Sequence, residues 1–153
     1  MKDSPKAISL RMKPGIYHTW CGGSCNYASK RRESAGAYIM ERDGVRMDTY
    51  VVADTCTTEF RMILTVMLHA MNVLPKGSDI VFLTNVSYIL NFDSQPTEKT
   101  ANTDLIRACI AAKGRHHEVR VKIVSYHKYH PLPETHEMAH EAMRNSMAKL
   151  SDE

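Results

Sequence analysis

The 153-residue chain lacks any apolar run approaching the ~18 residues of a membrane span, and no long apolar segment follows its first residues. We therefore expect no membrane partner, no secretory signal and a cytoplasmic location. The four cysteines, at positions 21, 25, 56 and 109, form no disulfide-scaffold pattern, which favours reduced thiols. Internal repeats and low-complexity segments are also missing. These absences favour an ordinary globular domain.

The composition is enough for one such domain. Hydrophobic residues make up 43% of the chain and charged residues 24%, so a chain of this length can bury a sizeable core. A net charge of +3 permits contact with nucleic acid but does not require it. We predict a loose basic tail over residues 1–14 and a single domain over residues 15–150.

Hydrophobic patterning predicts three antiparallel strands followed by helices that alternate with two further strands. The predicted strands cover 16–20, 37–40, 47–53, 79–84 and 119–124. The predicted helices cover 60–71, 87–92, 104–112 and 133–150. Asp43-Gly44 favours a hairpin turn. Either Thr57 or Thr58 is a good N-cap for the helix at 60–71. Gly22-Gly23 is expected to end the first strand. This order predicts an α/β domain with a mixed sheet and helices on both faces.

Short motifs on these elements carry a resemblance to a known family. They are Gly23-Ser24-Cys25, Thr57 to Leu64, Thr84 to Ile89, Ser125-Tyr126-His127 with His130-Pro131, and His136 to Ala139. In this order they resemble the motifs of type 1 ribonucleases H. The resemblance implies a ribonuclease H-like fold, whose five-stranded mixed sheet has the strand order 3-2-1-4-5. It also places His127 at the family's loop histidine.

The resemblance also implies that the family's metal-binding carboxylates are missing. Their positions are occupied by Gly22, Ile63, Asn85 and His136. Cleavage with two magnesium ions needs hard oxygen ligands, which these four residues do not supply. We therefore expect no catalytic residue and no cofactor, as in a pseudoenzyme. The minority alternative is an active ribonuclease H in which Glu59 or Asp54 replaces a lost carboxylate.

Binding of nucleic acid is a separate question from cleavage. The segment Lys30-Arg31-Arg32 resembles the loop that borders the hybrid groove in the family, and basic clusters bind phosphates irrespective of base sequence. We predict contacts with an RNA–DNA hybrid or duplex from this segment and from Asn26, Thr57 and Thr58. Two alternatives remain open. The loop is simply a solvated charged surface, or the domain is a protein-interaction or assembly module that has kept only the fold.

A competing motif, His136-Glu137-Met138-Ala139-His140, fits the His-Glu-x-x-His pattern of zinc peptidases, because residues i and i+4 share a helix face. The extension that supplies the third ligand is absent. A related hypothesis places zinc or a similar metal at His136, His140 and His127, with His130 nearby. The alternative is that these are surface histidines without a ligand role.

Overall fold

The structure is a computed structural model that describes residues 15–87, Ile89, 102–126 and 130–151, with side chains through Met147. The predicted tail over residues 1–14 lies outside the described residues. So do almost all of the predicted helix at 87–92 and the loop residue His127.

The described residues form five strands and three helices. The strands are β1 (Tyr17–Cys25), β2 (Ser34–Arg42), β3 (Val45–Asp54), β4 (Asp79–Thr84) and β5 (Glu118–Ile123). The helices are α1 (Glu59–Val73), α2 (Thr103–Lys113) and α3 (Pro131–Ser151). All five predicted strands are present in the structure. So are three of the predicted helices, those at 60–71, 104–112 and 133–150.

The five strands form one mixed sheet in the order β3-β2-β1-β4-β5. β1 and β3 each pair antiparallel with β2, whereas β4 runs parallel to both β1 and β5. The hairpin between β2 and β3 turns at Asp43 and Gly44, whose φ angles of 52° and 79° are in the left-handed region that a tight hairpin requires. The predicted α/β class, strand order and hairpin are confirmed.

β1 corrects one prediction, because it continues through Gly22 and Gly23 instead of ending there. Gly22 pairs with Ala37 of β2, and Gly23 pairs with Gly36. Successive residues of a strand face opposite sides of the sheet. Gly22 accordingly faces α3, and Gly23 faces α1. The two glycines act here as points of close helix approach rather than as a turn, a use that strand propensity does not reveal.

Helix α1 is buried on most sides, as its apolar sequence predicts. Its N-cap is Thr58, whose side chain accepts a hydrogen bond from the backbone N–H of Arg61 at 3.1 Å. The buried residues of this helix are Met62, Ile63, Leu64, Val66, Met67, Ala70 and Met71. All of them except Met62 join residues of β1, β2, β4 and α2 in the main apolar core.

The other two helices complete the layers. α2 packs on α1, where the guanidinium of Arg61 forms a bidentate ion pair with Asp104 at 2.8 and 3.1 Å. α3 covers the opposite face of the sheet, with Ala139 and Met143 against Ala35 and Ala37 of β2. None of the helices in the described part of the chain combines the length and apolarity needed to cross a lipid bilayer.

Candidate functional site

Gly22, Asn85 and His136, three of the four residues that the resemblance predicts at carboxylate positions, lie at the same end of the sheet. Asn85 directly follows β4, and His136 lies in the second turn of α3. The His136 Nε2 and the Asn85 Oδ1 are hydrogen-bonded at 2.9 Å. Because β1 and β4 are parallel, their carboxyl ends lie side by side and bring Gly22 to the same place.

The His136 ring lies directly over the backbone of Gly22. A Cβ built on Gly22 would be 3.2 Å from the ring Cγ and Nδ1 and 3.3 Å from Cδ2. Tyr126, just before α3, packs edge-on against the same imidazole with the ring centroids 5.1 Å apart. The imidazole thus fills the space that a side chain at position 22 would need.

The fourth position, Ile63, lies on the other side of β1. A Cβ on Gly23 would be 3.1 Å from the Ile63 Cγ1 and 2.9 Å from the Glu59 Cγ. Ile63 is fully buried in the main core, so its side chain supports the site by packing. We call the group formed by Gly22, Asn85 and His136 the His136 site. Glu59, one turn before Ile63 on α1, brings a carboxylate near this site.

The electrostatics of the His136 site favour a neutral imidazole. Burial lowers the pKa of His136 below its ordinary 6.5, and the nearby Glu59 carboxylate and a hydrogen bond with the Gly23 backbone offset only part of that effect. The fold therefore shifts His136 toward its uncharged form. Gly22, Asn85 and His136 contribute no negative charge, and such a site is a poor ligand set for magnesium.

The described histidines do not gather into a metal site around His136. The Nδ1 of His140 lies 3.5 Å from the Ser24 Oγ, while His136 is engaged with Asn85. Because His127 lies outside the described residues, the zinc hypothesis stays a prediction. The described ranges contain one group of three side chains close enough to share an ion. It lies at the opposite end of the sheet and comprises Asp79, His117 and Glu118.

The predicted phosphate-binding segment is exposed and lies beside the His136 site. Lys30, Arg31 and Arg32 are all exposed in the loop that follows β1. The backbone N–H of Asn26 donates to the carbonyl of Glu33 at 2.9 Å and closes this loop, which we call the basic loop (residues 26–33). No salt bridge joins the three cations to an acidic group anywhere in the described ranges.

Of the other three predicted contact residues, Asn26 and Thr58 have side-chain partners within the fold, and Thr57 is buried. Asn26 donates from Nδ2 to the Met147 Sδ at 3.6 Å, and Thr58 caps α1. Thr57 is only 6% exposed, which leaves little of its side chain for a ligand that binds at the surface. The predicted contacts of these residues with nucleic acid stay predictions, and the burial of Thr57 argues against its own.

Tyr27 was not among the predicted contact residues. Its ring is 62% exposed, and its hydroxyl accepts a hydrogen bond from the backbone N–H of Glu59 at 3.2 Å. This bond connects the basic loop to the start of α1 and hence to the His136 site. The signal in the sequence is a lone aromatic residue beside three cations, which becomes informative only when its exposure is known.

Comparison of the sequence with protein-family models and with curated proteins finds no match to either.

Proposed function

We propose that the protein is a catalytically inactive member of the ribonuclease H-like superfamily that has retained binding to nucleic acid, either an RNA–DNA hybrid or a duplex. The observation that carries this proposal is the contact of His136 with both Gly22 and Asn85. Short motifs far apart in the sequence assign these residues to one site. Their contact in the fold supports that assignment, as does the strand order.

The inactivity follows from the chemistry of the same residues. Two-metal cleavage needs carboxylates that hold two metal ions, and these ions in turn coordinate the scissile phosphate. Here the place of one carboxylate is filled by a neutral imidazole that packs on a glycine, and the place of another by the buried Ile63. The nearby Glu59 is a single carboxylate, and one carboxylate does not assemble a paired-metal site.

Purified protein should therefore leave a labelled RNA–DNA hybrid intact in the presence of magnesium or manganese, even at high protein concentration. An active ribonuclease H with relocated carboxylates predicts the opposite result. Cleavage that copurifies with the protein and disappears in Glu59→Gln or Asp54→Asn would overturn the proposed inactivity. Cleavage that persists in both variants would point to a contaminating nuclease and would leave the protein itself inactive.

Retained binding is supported by charge and position. Lys30, Arg31 and Arg32 present three exposed cations from a loop whose backbone is anchored, since the carbonyl of Arg31 accepts a hydrogen bond from the N–H of Cys56 at 2.6 Å. Cations that release counterions from phosphates supply affinity irrespective of base sequence. An anchored loop loses less conformational entropy on binding than a loose one.

The test is a salt titration of hybrid binding, measured by fluorescence anisotropy. Replacing Lys30, Arg31 and Arg32 together by Ala should weaken binding and reduce the slope of log K against log salt by about 0.9 for each phosphate that the protein no longer neutralises. The matched control replaces Lys76, Arg115 and Arg120, which lie before β4, before β5 and on β5, toward the opposite end of the sheet, and it makes the same change in net charge. Equal losses of affinity in both triple variants would indicate a general charge effect. No hybrid binding by the wild-type protein would refute the proposal outright.

A protein-interaction or assembly module is the second candidate, and one feature favours it. β3 is an edge strand, and its side chains Val45, Met47 and Val51 are 61%, 54% and 45% exposed. Exposed apolar edges pair readily with other strands. This candidate predicts self-association or partner binding that Val51→Lys abolishes, without binding to nucleic acid at any salt concentration. Sedimentation of the wild-type protein and of Val51→Lys measures self-association. Together with the anisotropy titration it distinguishes an assembly module from a nucleic-acid binder.

A further inference from the structure

We propose that Tyr27 is a stacking platform for an unpaired base, so that the preferred ligand is a nucleic acid with a single-stranded segment beside its duplex. This inference rests on the proposed function and specifies its ligand. Its basis is the juxtaposition of one fixed, exposed aromatic ring with three exposed cations on the same loop, next to the His136 site.

The Tyr27 ring is held in place even though it is exposed. Its hydroxyl is hydrogen-bonded to the start of α1 through the N–H of Glu59, and the following residue, Ala28, donates its N–H to the Asn26 Oδ1 at 3.3 Å. The closing bond between Asn26 and Glu33 limits the motion of the whole loop. A ring fixed at both its backbone and its hydroxyl binds a ligand with a small entropic cost.

An aromatic face beside cations matches the two parts of a nucleotide. Lys30, Arg31 and Arg32 follow Tyr27 within five residues and are exposed, so they can bind backbone phosphates while the ring stacks on a base. The Glu59 Cγ lies over Gly23 of β1, and its carboxylate repels phosphates. The proposal therefore places the phosphates of the ligand on the side of the ring that carries the three cations.

Stacking selects for unpaired bases. The bases inside a duplex already stack on one another, so their faces are closed to a protein ring, whereas those of a single strand are open. A blunt hybrid engages the cations alone, and a hybrid with an overhang engages both the cations and the ring. We therefore expect the overhang to bind more tightly than the blunt hybrid.

The test compares three fluorescent probes at one salt concentration: a blunt RNA–DNA hybrid, the same hybrid with a single-stranded overhang, and a single strand. Tyr27→Leu removes the ring and should weaken overhang and single-strand binding by about 5- to 150-fold, the range expected for loss of one stacked base, while blunt-hybrid binding is unchanged. The matched variant Tyr27→Phe keeps the ring and should retain most of the affinity. The salt slope should be the same in all three proteins, since no cation is removed.

A second readout places 2-aminopurine in the overhang, where stacking on Tyr27 should quench its fluorescence in the wild type and in Tyr27→Phe but not in Tyr27→Leu. Equal weakening of blunt and overhang probes by Tyr27→Leu would overturn the inference, because the ring would then act only by shaping the loop. Unchanged binding of every probe by Tyr27→Leu would overturn it as well, while leaving the proposed function intact. If the wild type binds no probe, the proposed function and this inference both fail.

Discussion

The contact between Gly22 and His136 predicts that the effect of Gly22→Ala on stability changes sign when His136 is removed. Gly22→Ala adds one methyl group, and this group would meet three atoms of the His136 ring at 3.2 to 3.3 Å. That separation is shorter than ordinary van der Waals contact, and the ring is restrained by its hydrogen bond to Asn85. We expect Gly22→Ala to destabilise the wild-type protein and to stabilise a protein in which His136 has already been replaced by Ala.

The magnitude follows from two opposing effects. Inserting a methyl group into a packed contact costs about 1–3 kcal/mol. Replacing glycine by alanine at a residue without positive φ, such as Gly22, restricts the unfolded chain and contributes about 0.4–1 kcal/mol of stability. In the presence of His136 the net result is a loss of up to about 2.6 kcal/mol. In the His136→Ala background only the gain of about 0.4–1 kcal/mol remains.

Urea unfolding of the four proteins, followed by the fluorescence of the single tryptophan, Trp20, measures this coupling as a double-mutant cycle. Gly36→Ala is the matched control, because its added Cβ would lie 2.7 Å from the backbone carbonyl oxygen of Met62 and would not be relieved by changing His136. If Gly22→Ala destabilises both backgrounds by the same amount, the imidazole does not occupy the space above Gly22, and the argument for a filled site is wrong.

Leu64→Ala should cost about 2–5 kcal/mol, because Leu64 is fully buried in the main core; a change in urea midpoint near zero would place α1 at the surface. Burial lowers the pKa values of His136 and His18 in the folded protein, so the unfolded chain binds protons first and stability falls as the pH drops below the ordinary value of 6.5. His136→Asn should therefore reduce the slope of stability against pH on the acid side, and an unchanged slope would contradict the pKa shift. Glu33→Ala removes the acceptor of the Ser29 hydroxyl and should speed amide hydrogen exchange in the basic loop, whereas Glu33→Gln should not.

Much of the fold is predictable because each element has a local cause. The Asp43-Gly44 turn fixes the pairing of β2 with β3, and the apolar run from Phe60 onward predicts a buried helix. The predicted ends of the elements were least accurate where a residue packs against a helix that is distant in sequence. Gly22 and Gly23 suggested the end of a strand, because nothing local indicates that α1 and α3 approach this backbone from the two faces of the sheet.

The candidate site was predictable only in part, for a similar reason. The motifs that resemble those of ribonucleases H predict that Gly22, Asn85 and His136 lie at the same end of the sheet, because the carboxyl ends of parallel strands lie side by side. They do not reveal that the imidazole packs on Gly22 and bonds to Asn85, because both contacts depend on the angle of α3. The role proposed for Tyr27 was inaccessible from the sequence because exposure of an aromatic ring is a property of the folded surface.

The residues of the His136 site constrain one another, so a metal-binding carboxylate cannot be restored at one position alone. An Asp at position 22 would crowd the His136 ring, and a lone Glu at position 63 would place a charge in the apolar core. Gly22→Asp alone should therefore destabilise the fold without creating a metal ligand, whereas Gly22→Asp with His136→Asp relieves the contact and places two carboxylates side by side. Magnesium-dependent thermal stabilisation of the double variant, absent from both single variants, is the expected result. Equal stabilisation of the Gly22→Asp single variant would show that the imidazole does not exclude the carboxylate, and that the site is open rather than filled.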